Sequence, residues 1–264
     1  MPSSFLEKIL AHKQQEVAQR RARLPEIELR SRCRDAAPPR NFAQALCVDK
    51  RLAVIAEIKK ASPSAGVLRP SFDPRQIAQA YAEAGAEAIS VLTDEEFFQG
   101  SLQYLQSIRS FLKAPLLRKD FLVSPYQIHE ARAFGADAVL LIVAALARDE
   151  LRRLLELTHE LGMHALVEVH EARELEQALE VDAKLIGLNN RSLKTFQIDL
   201  RVTEQLSAQV GDGITLVAES GLRTAADVQR MKAAGVHALL VGTHFMQAHD
   251  PGEALREFKQ LCYV

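Results

Sequence analysis

Ionisable side chains recur at the ends of short apolar runs in this sequence. Glu57 and Lys59 close the first such run, Lys119 closes the third, and Glu168 lies in the fifth. Lysine and carboxylate side chains give and take protons in many catalytic sites. Since ionisable groups are rarely buried without partners, their convergence would make either a charged reactive pocket or a structural ion-pair network. Later runs end in further polar residues: Asn189, Arg191 and Glu219.

Two glycine-containing segments could bind an anion. Ser220-Gly221 precedes a helical pattern, and Gly242-Thr243 precedes a short connection. Glycine lets an anion approach the backbone closely, and a helix N-terminus favours negative charge. Each segment alone carries little weight, because tight turns and helix ends explain most glycines. Together they predict a phosphate site, since they follow the seventh and eighth apolar runs, where barrels commonly bind phosphate.

Eight short apolar runs alternate with longer amphipathic segments and predict the elements that position these residues. Each run has a length typical of a buried parallel strand. The sequence has no G-x-G-x-x-G after the first run, which weakens a dinucleotide-binding alternative. We therefore predict a (β/α)8 TIM barrel. Its strands are expected at Leu52–Ile58, Ala88–Leu92, Pro115–Arg118, Asp137–Val143, His164–Val169, Lys184–Leu188, Ile214–Ala218 and His237–Val241.

The chain length of 264 residues suits one barrel domain, which takes roughly 250 residues. We expect residues 1–264 to form a single domain, with residues 1–48 as a helical extension packed on the barrel mouth. Within it, Ser4–Arg23 has helical spacing and Arg30–Arg40 is predicted to be a linker. Phe72–Ala84 is an example of a predicted barrel helix, capped by Asp73-Pro74.

Composition narrows the functional classes. A net charge of −1 gives no basic excess for nucleic acid or an anionic membrane. The longest apolar run, 136–146, is well short of the ~20 residues of a membrane helix, and no signal peptide is recognisable. Cys33, Cys47 and Cys262 form no C-x-x-C pair and are expected as free thiols in a reducing cytoplasm. The histidines lack metal-binding spacing, so we predict no metal.

Seven segments, in order along nearly the whole chain, strongly resemble the indole-3-glycerol phosphate synthase family. Their combination is specific, although no single segment would be. The segments are Ala56–Ser64, Ser90–Glu95, Leu117–Phe121, Pro125–Gln127, Leu166–His170, Gly187–Arg191 and Ala218–Gly221.

The resemblance implies a carbon–carbon lyase (a carboxy-lyase) of tryptophan biosynthesis. Its substrate would be 1-(2-carboxyphenylamino)-1-deoxyribulose 5-phosphate, and its products indole-3-glycerol phosphate, carbon dioxide and water. No organic cofactor or metal is implied. We expect a cytoplasmic monomer or weak homo-oligomer whose partner is the small phosphorylated substrate, with no nucleic-acid or membrane partner.

The resemblance also assigns catalytic roles. Lys119 matches the general acid that protonates the sugar carbonyl oxygen, and such a lysine works best if its neighbours lower its pKa. Lys59 matches a second cation near the substrate's anionic groups. Glu168 is the expected base or proton relay, and Glu57 is a further carboxylate whose share of the proton transfers stays open.

The remaining matched residues are expected to bind substrate or orient catalytic groups. Asn189 would contact the sugar, Arg191 the anthranilate carboxylate, and Glu219 would orient the cations. The other matches are Ser62, Phe121 and Leu193 for substrate contact, and Ser220, Gly221, Gly242 and Thr243 for phosphate.

Three features depart from the family pattern. Ala65 stands where a lysine is common, Thr243-His244 replaces the small residues more usual after Gly242, and the apolar contacts of the N-terminal helix do not align with the family. Two other classes remain possible: a phosphoribosylanthranilate isomerase-like barrel, which would carry a cysteine base after strand 1, and a non-catalytic phosphosugar-binding barrel. The presence of Glu57 and Lys59 at the end of strand 1 favours the synthase.

Overall fold

The computed structural model describes residues 5–263, which contain a closed barrel of eight parallel strands. Each strand pairs with its neighbours in chain order, and the first pairs with the last. This arrangement confirms the predicted (β/α)8 barrel, and every strand boundary lies within one residue of its predicted position. The strands are β1 (Ala53–Ile58), β2 (Ala88–Leu92), β3 (Leu116–Lys119), β4 (Ala138–Ile142), β5 (His164–Val169), β6 (Leu185–Asn189), β7 (Thr215–Glu219) and β8 (Ala238–Val241).

The helices lie between and after the strands. A two-stranded antiparallel hairpin, Ala61–Ser62 with Gly66–Val67, follows β1, and the 3-10 turn Val143–Ala145 follows β4. The helices are α1 (Phe5–Arg23), α2 (Glu26–Asp35), α3 (Phe42–Ala45), α4 (Pro74–Glu83), α5 (Leu102–Arg109), α6 (Pro125–Ala133), α7 (Arg148–Glu160), α8 (Ala172–Glu180), α9 (Arg201–Ser207), α10 (Ala225–Ala233), α11 (Thr243–Gln247) and α12 (Pro251–Cys262).

Strand residues alternate between the barrel interior and the layer of helices. In β1, Ala53 and Ile55 pack in the inner apolar cluster, whereas Val54 and Ala56 pack in the outer one with helix residues. Glu57 is therefore the next residue of the inward-facing set. The same alternation carries the inward-facing set of each barrel strand to its C-terminal end, which we call the barrel mouth.

Helix starts follow local chemistry. The side chain of Asp73 accepts hydrogen bonds from the backbone of Arg75 and Gln76, and Pro74 occupies the first turn of α4. This cap satisfies N–H groups that have no intrahelical acceptor. The prediction of a helix within Phe72–Ala84 is confirmed, with α4 beginning after the cap.

The N-terminal segment differs in part from its prediction. The helix expected over Ser4–Arg23 is present as α1, and Ser4 lies outside the described residues. The linker predicted at Arg30–Arg40 was wrong in its first half, because α2 continues to Asp35. The basic residues there are exposed partners of glutamates one turn earlier, whereas Leu29 and Cys33 are buried against the barrel side.

A buried ionic network fixes α1 across the barrel mouth. The Lys13 ammonium is inaccessible to solvent and lies 2.8 Å from Asp94 and 2.9 Å from Asp120. Two turns further, Arg20 lies 3.1 Å from Glu130 on α6. Because Asp120 directly follows β3, this network connects the helix to the end of that strand.

No helix within residues 5–263 is long and apolar enough to cross a membrane. Over the same range, no group of three or more His, Cys, Asp or Glu residues could hold a metal ion. The three cysteines are free thiols, with Cys33 and Cys262 buried and Cys47 exposed.

Candidate active site

Four charged residues form a layer at the barrel mouth. Glu57, Lys119, Glu168 and Glu219 come from β1, β3, β5 and β7, and each extends the inward-facing set of its strand. Side chains from alternate strands share a layer in such barrels, so the odd-numbered strands bring these four together. Burial of three carboxylates around one lysine requires that they be held by mutual contacts.

Lys119 lies at the centre of this layer. Its Nζ is 3.0 Å from Glu168 Oε2 and 3.1 Å from Glu219 Oε2. The lysine side chain is 14% exposed, and each carboxylate partner is 2% exposed. The ammonium group can therefore reach the cavity while both glutamates hold it in position.

The neighbours of Lys119 favour its charged form. Burial opposes the charge on the ammonium, but Glu168, Glu219 and Glu57 outweigh it and raise the Lys119 pKa above its usual value. The lowered pKa that would suit a lysine acid best is therefore not found here, because the residues that surround the amine are carboxylates. Lys119 is a firmly charged hydrogen-bond donor in the unliganded protein.

Glu168 and Glu219 differ in protonation although they share Lys119. Burial raises the pKa of both carboxyl groups. At Glu168 the charges of Lys119 and His170 overcome burial, so the Glu168 pKa lies below its usual value. At Glu219 burial and the neighbouring Glu168 charge prevail, so the Glu219 pKa is raised. The two pKa values thus move in opposite directions, and a proton shared by the pair is favoured on Glu219 over Glu168.

Close packing around the carboxylates explains two glycines. A side chain at Gly242 on the rim after β8 would collide with the Glu57 carboxylate, and one at Gly187 in β6 would collide with Glu219 Oε1. The even-numbered strands therefore supply the space in which these acidic side chains fit.

Lys59 lies two residues beyond Glu57 and places its Nζ 2.5 Å from Glu57 Oε1.

The structure brings all fourteen predicted site residues to one cavity at the barrel mouth. This cavity encloses about 1250 Å³, open space at its entrance included. The residues are Glu57, Lys59, Ser62, Lys119, Phe121, Glu168, Asn189, Arg191, Leu193, Glu219, Ser220, Gly221, Gly242 and Thr243.

One side of the cavity is apolar. Phe121 and Leu193 belong to the same apolar cluster as Ile9 of α1. Phe98 lies beside Phe121, with ring centroids 6.1 Å apart, and Phe5 of α1 also lines the cavity. Sequence reasoning identified Phe121 and Leu193 but could not align the α1 contacts, since those residues show only helical spacing.

Arg191 and Asn189 face the cavity together. The backbone N–H of Arg191 donates to Asn189 Oδ1 at 3.0 Å, and the guanidinium donates to the Phe196 carbonyl at 3.1 Å. The guanidinium also lies 3.5 Å from the Ser64 hydroxyl in the loop after β1, next to the short hairpin that contains Ser62. These contacts leave a half-buried cation at the edge of the cavity.

The glycine-rich side of the cavity has an extra cation. Ser220 and Gly221 have positive φ angles of 68° and 83°, and a side chain at position 221 would collide with Ile198. Arg223, exposed and two residues further, lines the same region. Sequence reasoning missed Arg223, although its position just after Ser220-Gly221 was an available signal. His244 lines this side too and packs against the Phe258 ring at 5.9 Å.

Some polar residues near the strand ends have structural partners instead. Arg118 is inaccessible to solvent and contacts Asp120 at 3.1 Å and Glu130 at 2.9 Å outside the barrel interior. Asn190 is buried and accepts a hydrogen bond from the Thr203 hydroxyl at 2.8 Å. Their neighbours Lys119 and Asn189 face the cavity, as the two-residue alternation requires.

The fold and this cavity define a (β/α)8-barrel enzyme, since barrel enzymes place their reactive groups at the C-terminal ends of the strands. A sequence model described as indole-3-glycerol phosphate synthase matches residues 6–258. Because this match covers nearly the whole chain, the chain belongs to the indole-3-glycerol phosphate synthase family. It is a lyase of tryptophan biosynthesis that acts on a small phosphorylated substrate.

Solved structures of low sequence identity share the fold. KGPDC from Streptococcus mutans has 13% identity and a TM-score of 0.61, over 80% of this chain and 97% of that one. A second structure of the same protein, in complex with a ligand, gives the same values. A native KDPGal structure has 16% identity and a TM-score of 0.57, over 81% of this chain and 94% of that one. At this level of identity the likeness concerns the barrel alone.

Proposed function

We propose that the barrel mouth is where this chain carries out ring closure, decarboxylation and dehydration of 1-(2-carboxyphenylamino)-1-deoxy-D-ribulose 5-phosphate. This assigns it to the indole-3-glycerol-phosphate synthases among the carboxy-lyases. The observation that carries the assignment of roles is the contact of Lys119 Nζ with Glu168 at 3.0 Å and Glu219 at 3.1 Å. An acid and a base held this close can act on one bound molecule.

The cavity suits a substrate with an aromatic end and a phosphate end. In our proposal the benzene ring packs against Phe121 and Leu193, and Arg191 pairs with the anthranilate carboxylate. Ser62 contacts the substrate from the loop after β1, and Asn189 contacts the sugar. The phosphate is bound by Ser220, Gly221, Gly242 and Thr243, with Arg223 as an added cation.

Ring closure comes first. A ring carbon attacks the sugar carbonyl carbon, the C=O π bond breaks, and its electron pair moves to the oxygen. Lys119 donates a proton to this oxygen. Its raised pKa still permits the transfer, because the developing alkoxide is more basic than an amine. Before the transfer, the charged ammonium stabilises the growing negative charge.

Decarboxylation and dehydration complete the reaction. The carbon–carboxylate bond breaks as carbon dioxide leaves, and its electrons restore the aromatic benzene ring. The hydroxyl group at the former carbonyl carbon then takes a second proton from Lys59, its C–O bond breaks and water leaves, and loss of a ring C–H proton to a base completes the pyrrole ring. Glu168, the ionised member of its pair, is the proposed base. Lys59 and Glu57, 2.5 Å apart, support the dehydration, and Glu219 orients Lys119.

The same proposal covers the domain organisation, cellular location and oligomeric state of the protein. We take residues 1–264 as one domain, in which residues 1–48 form an extension on the barrel mouth; residues 1–4 and 264 lie outside the described range. The contacts of Phe5, Leu6 and Ile9 with the cavity support this view, because they shield an aromatic substrate from water. We also propose a cytoplasmic monomer or weak homo-oligomer without nucleic-acid or membrane partners.

A product assay tests the proposed function. Purified protein is mixed with the carboxyphenylamino-deoxyribulose phosphate, indole fluorescence is followed, and mass spectrometry checks for loss of one carbon dioxide and one water. Turnover is expected for the wild type and the Lys113→Ala control, which removes an exposed lysine before β3, and not for Lys119→Ala. Absence of indole from the wild type would contradict the function. Equal rates for all three proteins would contradict the role of Lys119.

The isomerase alternative has a separate observable. It requires a cysteine base near the end of β1, whereas Cys33 lies on α2, Cys47 follows α3, and Cys262 ends α12. Glu57 and Lys59 occupy the rim after β1 instead. Conversion of phosphoribosylanthranilate without loss of carbon dioxide would support that alternative.

A further inference from the structure

His170 lies two residues after Glu168, just past the end of β5, and the reaction proposed above does not use it. Its Nε2 is 3.5 Å from Glu168 Oε1, and its side chain is 11% exposed. Its Nδ1 lies 3.1 Å from Glu174 Oε2 on α8, and the same oxygen accepts the His170 backbone N–H at 2.7 Å. The backbone contact holds the Glu174 carboxylate in place, and this carboxylate can accept a proton-bearing Nδ1, which leaves Nε2 facing Glu168.

The two carboxyl groups that share Lys119 have unequal surroundings. Glu168 has a basic group near each oxygen, because Lys119 donates to Oε2 at 3.0 Å and the His170 imidazole lies 3.5 Å from Oε1. Glu219 has Lys119 at Oε2, whereas its buried Oε1 has no hydrogen-bond partner among residues 5–263. A carboxylate is stabilised by donors on both oxygens, and a buried anion without them is costly.

We propose that His170, held by Glu174, is a positioning residue that keeps the negative charge on Glu168 and leaves the proton of the carboxyl pair on Glu219. This inference rests on the proposed role of Glu168 as base. The histidine touches no reacting atom and acts through the glutamate. Without it the two carboxyl groups would compete on nearly equal terms for one ammonium.

Electrostatics supports the geometry. Burial disfavours a charged imidazole, but the hydrogen bond to Glu174 and the charges of Glu168 and Glu174 outweigh it and raise the His170 pKa. The groups that act on Glu168 are Lys119, His170 and Glu219. A charged His170 places positive charge 3.5 Å from Glu168 Oε1 and strengthens the preference for anionic Glu168.

The direct test follows the His170 imidazole by NMR in the unliganded, full-length protein, which requires no turnover. If Glu168 carries the charge, Glu168→Gln lowers the His170 titration midpoint by about one pH unit or more. Glu219→Gln, which removes the neighbouring carboxyl group, changes the midpoint by much less. An unchanged midpoint in Glu168→Gln, or a larger shift in Glu219→Gln, would overturn the inference.

Kinetics provides a second test. His170→Asn can keep the contact with Glu174 but loses the one with Glu168, and His170→Gln can reach Glu168 with a neutral donor. Loss of the positive neighbour raises the Glu168 pKa, so the acidic limb of kcat/KM in His170→Asn should move up by about one pH unit. KM should stay near the wild-type value, and His170→Gln should recover part of the loss.

A control separates positioning from general destabilisation. His164→Asn removes an imidazole from the opposite end of β5 and should leave the pH profile unchanged. A pH-independent loss in His170→Asn, with the acidic limb in place, would reduce His170 to a structural role. Wild-type protein that makes no indole would contradict the proposed function but would leave the NMR test intact.

Discussion

The ammonium of Lys119 lies 3.0 Å from the carboxylate of Glu168, although β3 and β5 are separated by β4. Both side chains point inward at the end of odd-numbered strands, so they meet across the barrel mouth instead of along a strand pair. The contact places a protonated amine and an ionised carboxylate at one cavity, and the proposed chemistry depends on their opposite charges.

Removal of the Lys119 amine should abolish most of the turnover. In Lys119→Ala we expect kcat to fall by about 10²–10⁴-fold, the usual contribution of a positioned general acid. Steady-state indole fluorescence measures the change, and circular dichroism checks that the barrel is folded. Near-normal kcat in a folded variant would exclude Lys119 as the acid.

Glu168→Gln should separate turnover from binding. The amide keeps the size of the side chain but cannot accept the proton, so kcat should fall by about 10²–10⁴-fold. KM should change little, because the proposed contacts with ring and phosphate remain. Steady-state kinetics over a substrate series measures both constants. A raised KM with normal kcat would place Glu168 in substrate binding.

Arg223 should act on the phosphate end of the substrate. In Arg223→Met we expect KM to rise roughly tenfold with kcat nearly unchanged, since a charge-assisted contact to phosphate is lost. Arg230→Met is the matched control, because Arg230 is exposed on α10 and pairs with Glu204 away from the cavity. Similar KM values for the two variants would remove Arg223 from the phosphate site. The cleaner choice is Arg223, because Gly242→Arg would raise KM and also displace Glu57.

The ion pairs of Lys13 that anchor α1 should contribute to the free energy of unfolding. Lys13→Met leaves buried Asp94 without its cation and buried Asp120 with Arg118 alone, and we expect a loss of about 3–5 kcal/mol in the free energy of unfolding at neutral pH. Lys8→Met, which removes an exposed lysine from the same helix, should cost little. Urea unfolding followed by circular dichroism measures both variants. Equal stability of the two would contradict the anchoring role.

The pH dependence of this loss has a defined sign. The charges of Lys13 and Arg118 overcome burial and hold the Asp120 pKa well below its usual range. A depressed carboxyl pKa stabilises the fold above the unfolded-state pKa of about 3.9, and this stability is lost as pH falls towards the folded-state value. The difference between wild type and Lys13→Met should therefore shrink below about pH 4. A difference that grows on acidification would contradict the assignment.

Most of the barrel could be predicted because its signals are local. A buried parallel strand reads as a short apolar run, and all eight runs gave strands at the expected positions. The first half of the predicted linker Arg30–Arg40 could not be recognised as part of helix α2, since its residues are mostly charged and its buried side is marked only by Cys33 and, just before it, Leu29. Whether such a segment forms a helix depends more on its tertiary contacts than on its own composition.

The residues of the site could be predicted from the sequence, but the direction of their pKa shifts and their ion-pair partners could not. Strand alternation placed Glu57 and Lys59 on one face, and family motifs singled out Lys119 and Glu168. The direction of the Lys119 pKa depends on how many carboxylates surround it, and this requires coordinates. The buried aspartates that pair with Lys13, Asp94 and Asp120, lie far away in sequence, so the anchor of α1 left no local signal.

The most direct test of the account is a double-mutant cycle on kcat/KM with Lys119→Ala, Glu168→Gln and the double variant. Groups that act as one unit on the same bound substrate lose most of their effect together, so the double variant should be little slower than the worse single variant. Losses that simply multiply would show that Lys119 and Glu168 act independently, and would contradict the account.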